Sequence, residues 1–402
     1  MNQLTSRRNF IKTSGAAALG GALSARPLRT FASPPSRARS ASHEPMRALF
    51  DSLSAEQRKA VCFDWDYRVD IKYGRKPLHF ADPNGVLLRA HMANAWLITP
   101  QLIGSEFYTD KQRALVLEVM KTVLAPGWTE KLQLQAEDDY GPWGGDQALA
   151  FFGAPDSDHF QFVVTGFHLT LRAGSGTDTP AAFGGGIAHG HQPTGFFEQT
   201  GHPRNMWWYQ SVLANKVYAL LDEKQRGEAL IKGVVPFGSL DPAMIARIDQ
   251  SLRHPEGVKF KSLQSDLTKV IDRTLVQPDL PRDDRREAEI RFRGAKGNFS
   301  GLPVAAMGRE QQDAVRKTLE GLLEPYRAEY RDQVLRCLRK QGGIERCSLA
   351  FYEQFDMGGD GEWDNWRLEG PSFVWYFRGA PHAHIWIHVA DDATAPVSSY
   401  FG

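Results

Sequence analysis

The segment PHAHIWIHVADD, from Pro381 to Asp392, has the alternating pattern of a β-strand with one polar and one apolar face. Successive side chains of a strand point to opposite sides of the sheet. One side therefore carries three of the 12 histidines of the chain and one tryptophan, namely His382, His384, Trp386 and His388. The other side can pack under helices and carries Ala383, Ile385, Ile387 and Val389. The segment predicts a strand of a layered sheet with a concentration of imidazoles on one face.

The overall composition is that of a globular protein with no general affinity for polyanions. The chain has 402 residues, of which 42% are hydrophobic and 24% are charged, and its formal net charge is +1. This length allows a substantial buried core. Because the net charge is close to zero, no overall field attracts nucleic acid or an acidic membrane surface. We therefore expect no nucleic-acid partner.

The amino-terminal residues resemble an export signal. The segment Ser6-Arg-Arg-Asn-Phe-Ile-Lys12 is similar to the twin-arginine motif, and a mildly apolar run, Ser14–Ala25, follows it. That run is shorter than the roughly 20 residues that cross a bilayer. We predict a signal peptide and linker over residues 1–41 and a single domain over residues 42–402. The prediction implies the twin-arginine export machinery as a partner, a periplasmic or secreted location, and no stable membrane insertion.

The three cysteines allow at most one internal disulfide. Cys337 and Cys347 flank the turn-forming pair Gly342-Gly343. We expect these two cysteines to pair in an oxidising compartment and Cys62 to stay free. The sequence contains no Cys-x-x-Cys, which excludes a zinc ribbon and a thioredoxin-type site.

Four helix starts share one pattern, a capping residue three positions before a glutamine, which is the spacing of a capping box. The four pairs are Ser54 and Gln57, Thr109 and Gln112, Asp222 and Gln225, and Gly308 and Gln311. We interpret them as unrelated helices with the same cap chemistry rather than as a repeat. The predicted helices are Ala55–Phe63, Asp110–Leu124, Asn205–Leu221, Glu223–Ile231 and Arg309–Leu338.

Strand patterns are mixed with these helices without regular alternation. The predicted strands are Ala148–Phe152, Phe160–Arg172, Cys347–Phe355, Pro371–Arg378 and Pro381–Ala390. Such an order favours a single large α+β domain in which an antiparallel β-sheet core is flanked by helices. Neither G-x-G-x-x-G after a strand nor a P-loop motif occurs, so a nucleotide-binding fold has no support.

Two further histidine positions extend the pattern. His168 lies among apolar residues of a predicted strand, where an imidazole must be hydrogen-bonded or bound to a metal ion. His189 and His191 form a second His-x-His motif, in a glycine-rich segment that we expect to be a flexible loop. Two imidazoles on one strand face can bind one ion through nitrogens roughly 2.0–2.1 Å from it. We predict a metal site with zinc, iron or copper bound by His168, His382 and His384.

Three residues are candidates for catalytic roles beside the metal. His189 and His191 either complete the site or donate protons, and Glu353 is a candidate carboxylate that can pair with Arg367 or Arg378. Asp146 and Glu137 are weaker acid-base candidates, because their Gly-rich and aromatic surroundings are equally typical of a turn.

Ordinary structural roles also account for the same histidines. His382 and His384 can make hydrogen bonds on the solvated face of an edge strand, and His168 can be a hydrogen-bonded core residue. These alternatives stay open at the level of the sequence, since whether the histidines meet in space depends on the fold.

The carboxy-terminal half resembles a bacterial family of proteins of unknown function, number 3500. The resemblance lies in Trp366–Phe373, with the pattern R-x-x-G-P-x-F, followed by the His-x-His of residues 382–384. Gly166–Leu171 is similar to the G-H-H-L-S-L strand of that family, with Phe167 in place of the first histidine. The chain departs from the family at Ile385–Val389, which replaces S-V-W-R-D. The resemblance implies no particular activity.

Three hypotheses for the function follow. The first is a metal-dependent exported enzyme, a hydrolase or an oxidoreductase, acting on a small-molecule substrate. The second is a non-catalytic periplasmic protein with a ligand groove lined by aromatic residues. The groove residues would be Trp207, Trp208, Trp363, Trp366 and Trp386. The third is an enzyme without metal in which His384 is the general base.

Changing both Arg7 and Arg8 to lysine tests the export prediction. Because the paired guanidinium groups define the motif, the double variant is expected to remain in the cytoplasm. The measurement is the amount of the chain in the periplasmic fraction, with a soluble cytoplasmic protein as the control for lysis. Undiminished periplasmic accumulation would contradict the prediction.

Overall fold

A computed structural model describes residues 43–69, 72–73, 76–77, 85–94, 96–155, 157–174, 180–192, 201–232, 290–353, 356, 361–379 and 382–399. In this part of the chain, helices pack on a large and mainly antiparallel sheet, which confirms the predicted α+β class. The described helices are α1 (His43–Ser52), α2 (Ala55–Val61), α3 (Asp110–Val123), α4 (Trp128–Asp139), α5 (Trp208–Ala219), α6 (Glu223–Ala229), α7 (Arg309–Leu323) and α8 (Ala328–Lys340). None of them has the length and apolar character needed to cross a bilayer. The predicted signal peptide lies outside the described residues.

Eleven described strands form the main sheet, and four short strands form two small ribbons beside it. The ribbon strands are β2 (Arg68–Val69), β3 (Lys72–Tyr73), β4 (Lys76–Pro77) and β5 (Val86–Leu87). The main sheet contains β1 (Cys62–Phe63), β6 (Ala148–Gly153), β7 (Phe160–Gly166), β8 (Leu169–Gly174), β9 (Ile187–His191), β10 (Leu230–Ile231), β11 (Leu302–Pro303), β12 (Ser348–Tyr352), β13 (Asn365–Gly370), β14 (Phe373–Arg378) and β15 (Ala383–Val389). Its order is β1-β6-β7-β8-β9-β15-β14-β13-β12-β10, with β11 paired to β12. The histidine-rich β15 is thus an interior strand, and the edge-strand explanation is wrong.

The two halves of the chain repeat one arrangement. When the short strands β2 to β5 and β11 are left aside, the order α1, α2, β1, α3, α4, β6 to β9 is followed by α5, α6, β10, α7, α8, β12 to β15. In each half the short strand after the second helix pairs parallel to the first strand of an antiparallel meander. The last strands of the two meanders, β9 and β15, pair antiparallel in the middle of the sheet. The sheet is therefore two similar units joined along the β9–β15 pair.

The four glutamine caps occupy matching positions in this repeat. Gln57 and Gln112, at the starts of α2 and α3, exchange side-chain amide hydrogen bonds of 2.9 and 3.0 Å. Gln225 and Gln311, at the starts of α6 and α7, do the same at 2.7 and 3.1 Å. Gly308 has no side chain to accept a bond, so this cap consists only of its N–H donating to Gln311. The interpretation of the caps as unrelated is wrong, because each pair ties together two helices of one unit.

The two faces of β15 pack in different hydrophobic clusters, as the predicted alternation of its side chains requires. The odd-numbered face, from Ala383 to Val389, packs into the main hydrophobic cluster together with helix residues. Trp386 on the other face packs in a second, smaller cluster with Tyr376 of β14. The remaining described members of that cluster are Met92, Ala188, Ile290 and Val374. Both faces of the strand are thus covered, and its polar side chains are held inside the protein.

The predicted aromatic groove is not present in the described structure. Trp207, Trp208, Trp366 and Trp386 are each at most 2% exposed and belong to the hydrophobic clusters. Trp363 is partly buried against the main cluster. These residues stabilise the core by burying large apolar surfaces. The tryptophans that suggested a ligand groove therefore have a role in packing.

Three predicted elements differ from the structure. The strand predicted over Phe160–Arg172 is a hairpin, in which β7 and β8 are connected by Phe167 and His168. The helix predicted over Arg309–Leu338 is two helices, because Pro325 cannot donate a backbone hydrogen bond and α7 ends just before it. The expected flexible loop around His189 is the buried strand β9.

The predicted disulfide is also wrong, since all three cysteines are free thiols. The thiol of Cys337 on α8 lies 3.9 Å from the carbonyl oxygen of Pro180. The thiol of Cys347 lies 3.5 Å from the side-chain amide nitrogen of Gln341. The two side chains are thus directed to different partners, and burial raises the pKa of each thiol to about 12.

The repeat offers a matched test of the glutamine pairs. Gln112→Ala removes the partner of the buried Gln57 amide and a bond to the carbonyl of Ser52. We expect it to lower the free energy of unfolding by about 2 kcal/mol, because buried polar groups lose their partners. The matching Gln311 is partly exposed, so Gln311→Ala should cost about 1 kcal/mol or less. Chemical denaturation of both variants measures the difference, and equal losses would contradict the role of burial.

Candidate metal centre

Three imidazoles from distant parts of the sequence meet at one point. The Nε2 atom of His168 lies 3.1 Å from that of His382 and 3.0 Å from that of His384. The Nε2 atoms of His382 and His384 are 2.8 Å apart. His168 comes from the β7–β8 turn, His382 precedes β15, and His384 is the second residue of β15. These residues are the one group of three or more His, Cys, Asp or Glu with metal-binding geometry among the described residues.

The surroundings of the three rings favour their neutral form. His168 and His382 are buried, and His384 keeps partial exposure to solvent. Burial lowers the pKa of each imidazole well below the usual value of histidine, and the positive charge of Arg378 lowers it further. A neutral imidazole has one nitrogen with a free lone pair, which is the form that binds a metal ion.

Asp139 fixes the orientation of His168. Its Oδ2 atom lies 2.6 Å from Nδ1 of His168, and its Oδ1 atom accepts a 2.6 Å hydrogen bond from the backbone of Gln192. Burial raises the pKa of Asp139 to about 7. The ionised form of Asp139 accepts a hydrogen bond from the Nδ1–H of His168, which leaves the lone pair of the ring on Nε2, the atom that faces His382 and His384. A carboxylate behind an imidazole is the usual support of a metal-binding histidine.

The turn that carries His168 is held by the fold around it. His168 has a φ of 59°, an uncommon left-handed conformation for a residue other than glycine. The N–H of Phe167 donates a 2.9 Å hydrogen bond to Asp146, and the N–H of His168 donates to the carbonyl of Asn94. Asp146 thus positions the turn through its contact with Phe167.

Gly190 makes room for the His168 ring. It lies opposite His384 in the β9–β15 pair. A Cβ atom at this position would be 2.6 Å from Cδ2 of His168 and 2.6 Å from the carbonyl oxygen of Ala383. The second His-x-His motif therefore contributes to the site through its central glycine.

Arg378 lies on the other side of His384. The two residues face each other across the β14–β15 pair, and a terminal nitrogen of the guanidinium is 2.6 Å from Nδ1 of His384. The guanidinium also lies over the Trp386 ring, 5.7 Å from its centroid. His168 and His384 thus have opposite neighbours, a carboxylate and a guanidinium.

The spacing of the nitrogens fits a metal ion. Bonds of about 2.1 Å place adjacent nitrogens about 3.0 Å apart on an octahedral face and about 3.4 Å apart on a tetrahedron. The observed distances of 2.8 to 3.1 Å lie close to the first value, and movements of about 0.3 Å reach the second. The three histidines can therefore hold one ion with further coordination positions open.

The other candidate residues lie around this group at different distances. His191 contacts Asp138, with its Nε2 atom 3.3 Å from Oδ2 of the carboxylate. His189 is stacked on Trp207, with ring centroids 4.8 Å apart. Glu353 follows β12, three strands from β15, which is about 14 Å at the usual strand spacing.

Glu353 and the weaker carboxylate candidates have separate contacts. Glu353 is half exposed and lies 3.8 Å from Lys232, while Arg367 contacts Glu369 at 2.8 Å. Asp146 supports the turn of His168, as described above, and Glu137 lies 3.6 Å from Arg204. Asp139, Gly190 and Arg378 were not predicted as site residues, because their positions at the site depend on strand register and on the end of α4.

The fold and site define an α+β protein, built from two similar units, with a three-histidine group able to bind a metal ion. The profile of the family described as "Protein of unknown function (DUF3500)" matches residues 36–389, and the chain belongs to that family. This confirms the resemblance seen in the sequence. No curated protein and no solved structure matches the chain.

Gly190→Ala tests the packing of the site. The added methyl group would overlap a backbone oxygen as well as the His168 ring, so we expect a loss of about 1 to 3 kcal/mol in the free energy of unfolding. The imidazole NMR signals of His168 and His384 should shift as well. Gly227→Ala is the control, because nothing lies within 4 Å of its added methyl group. A Gly190→Ala protein with unchanged stability and imidazole signals would contradict the close approach.

Proposed function

We propose that this protein is a metal-dependent enzyme in which His168, His382 and His384 bind a single transition-metal ion. The observation that carries the proposal is the convergence of three Nε2 atoms within 3.1 Å, from segments more than 200 residues apart. Zinc, iron and copper all accept imidazole ligands. Bound there, such an ion would activate water or dioxygen, or polarise a carbonyl group, as in a hydrolase or an oxidoreductase.

Three features of the site support catalysis beyond metal storage. The ligands are three uncharged side chains, which leave coordination positions for substrate or water. Asp139 orients His168 from behind, as carboxylates do in catalytic zinc sites. His384 keeps partial exposure, so a small-molecule substrate would reach the ion from the side of that residue.

His191 is the candidate for proton transfer. Its ring contacts Asp138, a carboxylate with 16% of its side chain exposed that also contacts Arg204 at 2.6 Å. His191 pairs with Ala383, the residue between His382 and His384, across the β9–β15 pair. In the proposed enzyme, His191 and Asp138 would carry protons between the surroundings of the site and solvent. In contrast, burial lowers the pKa of His189 to about 3, and its stacking on Trp207 supports a packing role.

A site without metal is the competing proposal. The Nε2 distances also match N–H···N hydrogen bonds, so the three rings can share protons among themselves. In that arrangement His384, the partly exposed member, would act as a general base. The two proposals differ in one measurable quantity, the metal content of the purified protein.

The predicted export signal favours the choice of a metal enzyme. The segment Ser6–Lys12 resembles the twin-arginine motif, and this pathway carries proteins that fold before they cross the membrane, many of them with a metal or cofactor already bound. We propose that the chain acquires its metal in the cytoplasm and functions in the periplasm or outside the cell.

Metal analysis of the full chain purified from its native compartment tests the proposal. We expect one equivalent of zinc, iron or copper in the wild type, and less than about 0.1 equivalent in His384→Ala and in His382→Ala, since each loses one of three ligands. For His168, asparagine is the better replacement, because it tolerates the left-handed φ of the turn.

His388→Ala is the matched control. His388 lies on the same strand, is fully buried and stacks on Phe292 at 4.1 Å. It is four residues from His384, about 13 Å along the strand, so it should retain the metal. Wild-type protein without metal, or equal metal content in all variants, would overturn the metal proposal and favour the proton-sharing alternative.

A further inference from the structure

The contact between Arg378 and His384 fixes which nitrogen of the ring carries a proton. A guanidinium group has donors and no acceptor. The 2.6 Å contact therefore requires that Nδ1 of His384 accepts a hydrogen bond from Arg378. In a neutral ring the proton is then on Nε2, the atom that faces His168 and His382.

This arrangement opposes metal binding by His384. To bind an ion, Nε2 needs its lone pair, and the proton of the neutral ring must move to Nδ1. An Nδ1–H group would then point at an N–H group of Arg378 at 2.6 Å, which is a repulsion between two donors. His168 has no such conflict, because its Nδ1 faces the Asp139 carboxylate. Arg378 must therefore turn away from His384 when that residue binds a metal ion.

We propose that a carboxylate ligand of the substrate takes over the hydrogen bonds of Arg378, so that the metal ion and a carboxylate bind to this site cooperatively. The inference rests on the metal site proposed above and adds the class of ligand. Arg378 contacts Nδ1 of the His384 ring, and the ion would bind Nε2 of the same ring. A carboxylate can place one oxygen on the ion and the other on the guanidinium, whose planar donors match its geometry.

The surroundings of Arg378 favour such a ligand. The residue is only 4% exposed, and its charge persists at neutral pH although burial lowers its pKa to about 10. The face of Trp386 lies beside the guanidinium. Once a divalent ion is bound by uncharged imidazoles, the positive charges of the ion and of Arg378 both attract an anion. A neutral ligand of the same shape would gain neither attraction.

Thermodynamic linkage between metal binding and carboxylate binding can be measured in the wild-type protein. If a carboxylate draws Arg378 away from His384, it must raise the affinity for the metal, and the metal must raise the affinity for the carboxylate by the same factor. The probes are Zn²⁺ with acetate and Zn²⁺ with acetamide, which have the same shape and differ in charge. We expect acetate to raise the affinity for Zn²⁺ about tenfold and acetamide to leave it unchanged. Since acetate also binds free Zn²⁺ weakly, that competition lowers the apparent affinity and cannot mimic the effect.

Two variants test the role of Arg378. Arg378→Met keeps the apolar stem and removes the donors, so it should bind Zn²⁺ without acetate at least as tightly as the wild type and show no acetate effect. Arg378→Lys keeps the charge and loses the planar fork, so its acetate effect should be reduced but present. If one variant fails to fold, the other still tests the role of Arg378, and the comparison of acetate with acetamide in the wild type still tests whether the ligand is a carboxylate.

The outcomes separate this inference from the metal proposal. Zn²⁺ binding that is equally tight in acetate and acetamide would overturn the carboxylate ligand and leave the metal site standing. Weaker Zn²⁺ binding by Arg378→Met in the absence of acetate would show that Arg378 supports the ligand His384 instead of opposing it, and would also overturn the inference. A wild type that binds no Zn²⁺ under any condition would remove both proposals.

Discussion

The antiparallel pairing of β9 with β15 is the contact on which the rest of the structure depends. It joins the two units of the sheet, it converts the histidine-rich strand from a possible edge into an interior strand, and it places Gly190 opposite His384. Strand pairing satisfies the backbone groups on both sides of β15, and the two hydrophobic clusters cover the two faces of the strand. These surroundings favour the neutral form of the imidazoles at its start, and the missing side chain of Gly190 leaves the space that the ring of His168 occupies.

The repeat also shows how one unit gained a site that the other lacks. His168 is the second residue of the turn between β7 and β8, and Ser372 is the second residue of the matching turn between β13 and β14. The side chain at the end of α4, Asp139, contacts His168, whereas the matching residue after α8, Gln341, accepts hydrogen bonds of 2.8 and 3.2 Å from Ser372. The same positions thus hold a carboxylate and an imidazole in one unit and two neutral groups in the other. The difference in chemistry arises from side chains on a shared backbone plan, which fits the principle that function depends on sites and not on folds.

The histidines of the centre differ in the charge of the residues that contact them. Asp139 donates electron density toward His168 through its hydrogen bond, whereas Arg378 withdraws it from His384. The rings are therefore not equivalent as ligands, although their Nε2 atoms are equally close. Asp139 is a fixed carboxylate on one side of the site, and Arg378 is a cation that an anion can draw away on the other side. This arrangement can couple metal binding to ligand binding. The free-energy cost of moving Arg378 is recovered when the anion replaces the imidazole as its partner.

The sequence by itself determined the features that depend on neighbouring residues. The alternation of Pro381–Asp392, the helix caps with glutamine at the third position and the α+β class all follow from local periodicity and local hydrogen bonding. The three histidines that meet were also identified from the sequence, since an imidazole in an apolar strand needs a partner. Only the tertiary structure decided that His168 lies in a turn, that Gly190 packs against its ring, and that Asp139 and Arg378 contact different histidines of the group. Those features depend on strand order and register, which are set by contacts between residues far apart in the sequence, such as the pairing of Ala383 with His191. A local pattern specifies that a strand exists, but the strand beside it is selected by the burial of the whole sheet.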